Sequence, residues 1–296
     1  MKKKAILYMG GGVMLGVYGA GFVSKLEKEN AYEKIEAIYG SSAGVMNAAY
    51  FLSHQARLGS SIYTEDLVDN FLFPANLPIG TAQRLWNRYV FQIPREKMKN
   101  VVNIDYVLDI IKNKKPLNIK RISKSKIKFF IELLNLKTGE IDRKKFNIKN
   151  AFDLFRAAIT VVPYYFRAKK INNHLYVDAS IKQVIDFKYL LKKYPEHKII
   201  FVLNVKTKRG RRHYVKNILE GVVADSMYKS SLYEIYKERE DLLHQDLMEL
   251  KKYDRVLLIH PPRDIPAKPQ TVDKKKLQRT FNMGFSDAKK FLKFVK

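Results

Sequence analysis

The chain has 296 residues, 46% of them hydrophobic, and carries 56 Lys and Arg against 29 Asp and Glu, a formal net charge of +27. That apolar content supports a sizeable core. Cysteine is absent, which excludes disulfides, Cys-ligated zinc and thiol catalysis. There is no run of about 18 apolar residues, so no membrane-spanning helix is expected. Met1-Lys2-Lys3-Lys4 precedes only five apolar residues and then glycines. This reads as a buried first strand rather than a signal peptide. The expected location is cytoplasmic or peripheral to a membrane, with export by another route left open. The charge is unevenly spread: residues 112–149 hold thirteen basic against three acidic residues, and residues 188–216 hold ten against one. A basic surface of this kind suits a polyanion, either nucleic acid or an anionic membrane, or is simply a solvated lysine-rich exterior.

Taken in chain order, residues 4–9 predict a buried strand and Val13 to Glu29 the helix after it. Residues 35–39 predict a second strand, and Ser42 to about Gln55 an alanine-rich helix. This alternation is that of a parallel sheet flanked by helices, whose ligands bind at the carboxyl ends of the strands. Residues 63–115 read as mostly helical. Residues 76–100 place Trp86, Tyr89 and Phe91 among arginines, a candidate interfacial lid or an ordinary amphipathic helix. Lys126 to Leu136 and Glu140 to Phe146 predict paired strands around Lys137-Thr138-Gly139, and Phe152 to Ile159 a short helix. Leu175-Tyr176-Val177 predicts a strand ending in Asp178. Lys198 to Val205 and Val256 to Ile259 predict strands, residues 213–250 one or two long helices, and Asp273 onward a last helix. With no repeat or linker, a single domain spanning 1–296 is expected, with a helical C-terminal region from about 206.

Both glycine turns fall at predicted strand ends. Gly40-Ser41-Ser42-Ala43-Gly44 is a G-x-S-x-G pattern, where small residues two positions either side of Ser42 let the chain bend sharply and expose Oγ. Gly10-Gly11-Gly12 presents bare backbone N–H groups, which can stabilise an oxyanion. As a dinucleotide-binding turn the run lacks a glycine at Leu15 and an acid at the end of the second strand. No Gly-Lys-Ser/Thr loop exists. The pairing of nucleophile and oxyanion cradle points to acyl transfer or hydrolysis. The base has two candidates. His260, at a late strand end, fits the chain order Ser, acid, His of an α/β-hydrolase triad, whereas His174 lies in a turn and the other histidines in charged stretches. Asp178-Ala179-Ser180 offers a carboxylate at a strand end, adequate as a base if partly desolvated.

Gly10-Gly11-Gly12 with Gly16 and Tyr18, then Gly40-Ser41-Ser42-Ala43-Gly44, then Asp178-Ala179-Ser180, together resemble the patatin-like phospholipases. Ala157-Ala158, Pro163 and Phe166 ahead of the third segment fit too. The resemblance spans about residues 4 to 190. It implies a three-layer α/β/α sandwich with a mostly parallel central sheet and hydrolysis of lipid acyl esters through a Ser–Asp dyad. It implies Ser42 as nucleophile and Asp178 as base. Gly10, Gly11, Gly12 and Ala43 would line the oxyanion hole, and Gly40 and Gly44 the nucleophile elbow. No cofactor or metal is implied. The expected partners are a lipid ester and an anionic membrane surface met by one basic face, with nucleic acid not expected. Two positions depart from the family: Leu15, often basic there, and Ala179, usually glycine, where an alanine forced to positive φ would be strained by roughly 1 kcal/mol. Two other readings stand beside this one: an α/β-hydrolase esterase with a His260 triad, and a non-catalytic basic protein on the same scaffold.

Overall fold

A computed structural model of the chain describes residues 4–74, 76, 99–182, 185–204, 211–228, 232–262 and 264–296. Among these the sheet has eight strands: β1 (Ala5–Met9), β2 (Ile35–Gly40), β3 (Lys128–Asn135), β4 (Ile141–Lys145), β5 (Lys169–Ile171), β6 (His174–Asp178), β7 (Ile199–Val202) and β8 (Val256–Ile259). Their order is β5-β6-β3-β2-β1-β7-β8, with β4 also pairing β3. The central β3-β2-β1-β7-β8 block is parallel. β4, β5 and β6 add antiparallel pairs. β1 is buried throughout, as its unbroken apolar run requires of a strand covered on both faces.

Side chains alternate across the sheet. Leu7, Met9, Ile38, Ile131 and Val202 enter one core with helices α1 (Gly16–Lys28), α2 (Ala43–Leu52) and the C-terminal helix Lys274–Phe294. Ile6, Tyr8, Tyr39 and Phe201 enter a second core with the helix Phe187–Lys193 and Leu243 and Leu250 of the helix Leu232–Leu250. The result is three layers, helix–sheet–helix. The C-terminal helix is tied to α1 by the Tyr18 hydroxyl, which donates to Asp287 at 2.6 Å. Among the described residues no helix is long and apolar enough to cross a membrane.

The sequence-predicted elements fall within a few residues of these. Val13–Leu15 forms a 3₁₀ turn before α1. Residues 43–65 split into α2 and a separate helix, Ala56–Glu65. The candidate lid with Trp86, Tyr89 and Phe91 lies outside the described residues. The expectation of one basic face meets a correction. Ile111, Leu117 and Ile122 anchor the first basic segment to one core, whereas Phe187, Leu190 and Leu191 anchor the second to the other. The helix Ile119–Ser123 and the helix Phe187–Lys193 therefore lie on opposite sides of the sheet.

Pairing along β3 places the site. Phe130 and Ile131 pair with both β2 and β4, and Leu133 and Leu134 with both β4 and β6. A strand has two edges, so β2 and β6 must share the edge opposite β4. β2 runs parallel to β3 and stops with Gly40 opposite Ile131. β6 runs antiparallel and stops with Asp178 opposite Leu133. The carboxyl ends of β2 and β6 thus face each other, separated by two residues of β3, about 7 Å.

Candidate active site

At the end of β2 the chain turns into α2 through Ser42, whose backbone has φ 53° and ψ −134°. This conformation is costly for a residue with a side chain and persists only where its surroundings enforce it. Those surroundings are close. The Ser41 N–H donates to the Met9 carbonyl at 3.0 Å, tying the elbow to β1. A Cβ at Gly44 would lie 2.1 Å from Met9 O and 2.7 Å from Gly10 O, so only glycine lets α2 begin against the end of β1. A Cβ on Gly11 would lie 2.4 Å from Ser42 Cβ and 2.9 Å from its Oγ, which puts the glycine loop directly against the serine.

The loop separates into one occupied donor and several open ones. Gly10 N–H donates to Val202 O at 2.8 Å and completes the β1–β7 ladder. It is therefore not available to an oxyanion, a correction to the expectation that all three glycines donate. The N–H groups of Gly11, Gly12 and Ala43 have no hydrogen-bond partner among the described residues. Ala43 is also the first residue of α2, where the helix dipole favours negative charge. Asn204, just past β7, fixes the loop. Its Nδ2 donates to Gly10 O at 2.7 Å and its Oδ1 accepts from Gly19 N–H at 3.1 Å, in the first turn of α1. Asn47 of α2 donates to Gly16 O at 2.8 Å and accepts from the Tyr63 hydroxyl at 3.2 Å. Neither asparagine emerges from the sequence, because each acts through a contact between segments far apart in the chain.

Asp178 is fully buried at the end of β6. Its N–H donates to Thr160 O at 3.0 Å and its Oδ1 accepts from Ser180 N–H at 2.9 Å. Oδ2 is buried with no partner at hydrogen-bonding distance. Burial pushes the carboxyl up to about 6, against the opposing pull of the Ser42 hydroxyl, the Ser180 N–H and the Arg239 charge. Ser42 thus lies near enough for its hydroxyl to act on the carboxyl.

Ala179 opens a short 3₁₀ turn and is not among the residues of positive φ. The strain expected of an alanine here is absent, and the departure from glycine needs no compensation. Ala179→Gly is expected to leave kcat on a lipid ester unchanged and to cost about 0.5–1 kcal/mol through added backbone freedom. Steady-state kinetics with a melting curve checks this; a rise in kcat beyond about fivefold, the rate equivalent of ~1 kcal/mol, would show that the alanine restrains the site.

His260 does not join the group. It is exposed beyond the edge strand β8, its Nδ1 lies 3.0 Å from Pro261 O, and it does not line the cavity that holds Ser42. His174 begins β6 at the end opposite Asp178. Beneath the elbow, on the other face of the sheet, Tyr8 donates to the buried Glu132 at 3.2 Å and Arg143 Nε contacts the same carboxylate at 3.0 Å. Arg143 continues to Asp186. Burial raises Glu132 to about 7, with Arg143 opposing the rise. Among the described residues no group of three or more acidic residues or histidines could hold a metal ion.

Ser42 opens into a cavity of about 310 Å³. Its lining from residues 46–72 and 101–111 is largely apolar and includes Met46, Ile62, Leu67, Val102 and Ile104. Lys216 and Glu220 of the helix Arg211–Tyr228, and Tyr236 and Arg239 of the helix Leu232–Leu250, line it as well. A strained serine, open N–H donors, a buried carboxyl and an apolar chamber can together activate a hydroxyl, stabilise an oxyanion and seat an alkyl chain.

No curated protein matches the sequence. Among solved structures, VipD from Legionella pneumophila is similar at 12% identity and a TM-score of 0.45, covering 98% of this chain and 67% of that one. The type III effector protein ExoU is similar at 12% identity and a TM-score of 0.31, covering 80% of this chain and 53% of that one. The chain thus spans about half to two thirds of the length of these two. The family model described as patatin-like phospholipase matches residues 7–191, which include both glycine turns and Asp178. The chain belongs to the patatin-like phospholipase family.

Proposed function

We propose that the chain hydrolyses carboxylic esters of lipids through a Ser42–Asp178 dyad. The observation that carries this reading is the buried, unpartnered Oδ2 of Asp178 beside a serine held in a strained elbow. Asp178 takes the Ser42 proton as Oγ attacks the ester carbonyl. The N–H groups of Gly11, Gly12 and Ala43 receive the oxyanion that forms. Collapse of the tetrahedral intermediate breaks the C–O bond, and the protonated Asp178 returns its proton to the departing alkoxide. A water deprotonated by Asp178 then releases the fatty acid from Ser42. The apolar lining seats the acyl chain.

The pH dependence follows from the buried carboxyl. Asp178 works only when ionised, and burial raises it to about 6. Fatty-acid release from phospholipid micelles should therefore rise with pH and level off above about 7. A kcat/KM that stays flat down to pH 4.5 would contradict Asp178 as the base.

Peripheral contact with a lipid surface is part of the proposal. Phe73, Leu219 and Val272 are exposed, and each lies within two residues of a residue that lines the Ser42 cavity. These apolar side chains would meet the acyl region of a membrane around the entrance used by substrate.

A further inference from the structure

Ala43, Met46, Asn47 and Tyr50 of α2 all line the cavity that holds Ser42. Their spacing places them in one stripe along the helix. The cavity therefore follows α2 away from the nucleophile. Helix rise, ~1.5 Å per residue, carries this stripe about 10 Å from Ala43 to Tyr50. The two ends of the stripe differ. At the Ser42 end the lining includes exposed Gln270. Its neighbour Pro269 accepts from Met14 N–H, just past the glycine loop. At the far end Tyr50, Leu67 and Ile111 line the cavity and are buried. One residue gathers these three. Lys115 O accepts from the Tyr50 hydroxyl at 2.6 Å, and Lys115 N–H donates at 2.7 Å to the carbonyl of Ile110, beside Ile111. The Lys115 ammonium lies 2.7 Å from Asp66, beside Leu67. Lys114 adds a second cation to the fully buried Asp66 carboxylate. The Tyr50 ring is also braced from the side. A Cβ at Gly59 would lie 2.3 Å from Tyr50 Cγ, so the ring rests against the backbone of the helix Ala56–Glu65.

We propose that Tyr50 sets acyl-chain length, as the stop of a ruler along α2 that fits a medium acyl chain of about eight carbons. This rests on the hydrolase reading and adds the chain length that the site selects. With the ester carbonyl on Ser42 and its oxygen toward Gly11, Gly12 and Ala43, the alcohol faces the open end and the acyl chain runs along α2. An extended alkyl chain advances about 1.3 Å per carbon, the zigzag of ~1.5 Å bonds, so about eight carbons span the distance to Tyr50. Each methylene up to that point leaves water for an apolar wall. A longer chain meets the braced ring. To pass it, the methyl end would have to part Lys115 from Asp66, and separating a buried ion pair leaves both charges uncompensated. The excess carbons must instead fold back toward the opening, where their burial adds little.

The test is a chain-length series: p-nitrophenyl esters of butyryl, hexanoyl, octanoyl and decanoyl acids, each below its aggregation concentration. In the wild type kcat/KM should rise about two- to fourfold per methylene as far as octanoyl, the rate equivalent of burying each one. At decanoyl it should level off or fall. Tyr50→Ala removes the stop, so its ratio of decanoyl to octanoyl kcat/KM should rise about 4- to 16-fold over wild type, two methylenes' worth. Ile111→Phe fills the closed end and should lower the octanoyl-to-hexanoyl ratio by a similar factor. Loss of folded protein scales all esters alike and leaves these ratios unmoved. A wild-type rise that continues through decanoyl, or a folded Tyr50→Ala protein that keeps the break at octanoyl, overturns the ruler. Should Tyr50→Ala fail to fold, Ile111→Phe decides, and an unmoved break in that variant overturns it as well. Failure of the hydrolase reading looks different: no ester of any length is cleaved, or cleavage survives Ser42→Ala, and the ruler then falls with it.

Discussion

Asp178→Asn is expected to lower kcat on a lipid ester by about 10²–10⁴-fold, the usual contribution of a general base, while His260→Ala should leave it within about twofold, as for a surface substitution. The amide keeps an oxygen for the Ser180 N–H, so the turn survives, but it cannot take the Ser42 proton. The same change should make the protein more stable at neutral pH. Burial raises the Asp178 carboxyl from 3.8 to about 6. Between those values the folded protein holds a proton that the unfolded chain has released, so stability falls as pH rises through that window. Asparagine does not ionise and escapes this loss. At pH 7.5 the variant should gain on the order of 3 kcal/mol over wild type, read as a higher urea midpoint. At pH 3.5, where both states of the wild type are protonated, the gain should vanish. A slow enzyme whose added stability appears as pH rises from about 3.8 to 6 separates loss of a base from loss of structure. An inactive, less stable variant would show Asp178 to be structural.

Gly44→Ala is expected to remove activity by a different route, through the backbone. The added methyl would meet the Met9 carbonyl at 2.1 Å and the Gly10 carbonyl at 2.7 Å, neither of which can rotate away. Either α2 lifts from β1, taking Ser42 with it, or the β1 end shifts and opens the oxyanion loop. The expected cost is about 3 kcal/mol or more, at the upper end for overpacking. That corresponds to a Tm lower by roughly 6–12 °C, with no measurable turnover. Gly40→Ala is the matched control. The nearest atoms its methyl would meet belong to Val45, at 3.0–3.2 Å, so a shift of a few tenths of an ångström relieves it. Equal behaviour of the two variants in a melting curve would contradict the packing described for the elbow.

Much of this site was legible because its chemistry sits where short patterns change abruptly. The run Ala5–Met9 ends in three glycines, and Ile35–Tyr39 runs into Gly40-Ser41-Ser42, so strand and turn announce each other. Asp178 was legible as a strand end. That it meets Ser42 was not, since this depends on β2 and β6 sharing one edge of β3, a long-range pairing. The roles of individual N–H groups were not legible either. Gly10 and Gly11 look alike in sequence, and only the register of β1 with β7 commits the Gly10 donor to Val202. β5 went unread because Lys169-Lys170-Ile171 is three residues long with no alternation to mark it. The helix Phe187–Lys193 was readable in principle. Asp186 caps it by accepting from Tyr189 N–H, and Phe187, Leu190 and Leu191 have helical spacing. The strain expected at Ala179 was inferred from a family habit, and the chain instead takes a 3₁₀ turn that alanine enters freely.

The central claim is that Ser42 is an activated nucleophile, and covalent labelling tests it most directly. A fluorophosphonate is attacked, with loss of fluoride, by a serine whose proton has an acceptor and whose oxyanion has donors, whatever lipid the enzyme prefers. Intact-mass and peptide mass spectrometry after labelling should find one adduct, on Ser42, in the wild type. The rate should fall with Asp178→Asn and as pH drops through about 6, and no adduct should form in Ser42→Ala. An unlabelled wild type, an adduct on Ser41, or labelling that survives Ser42→Ala would contradict the account.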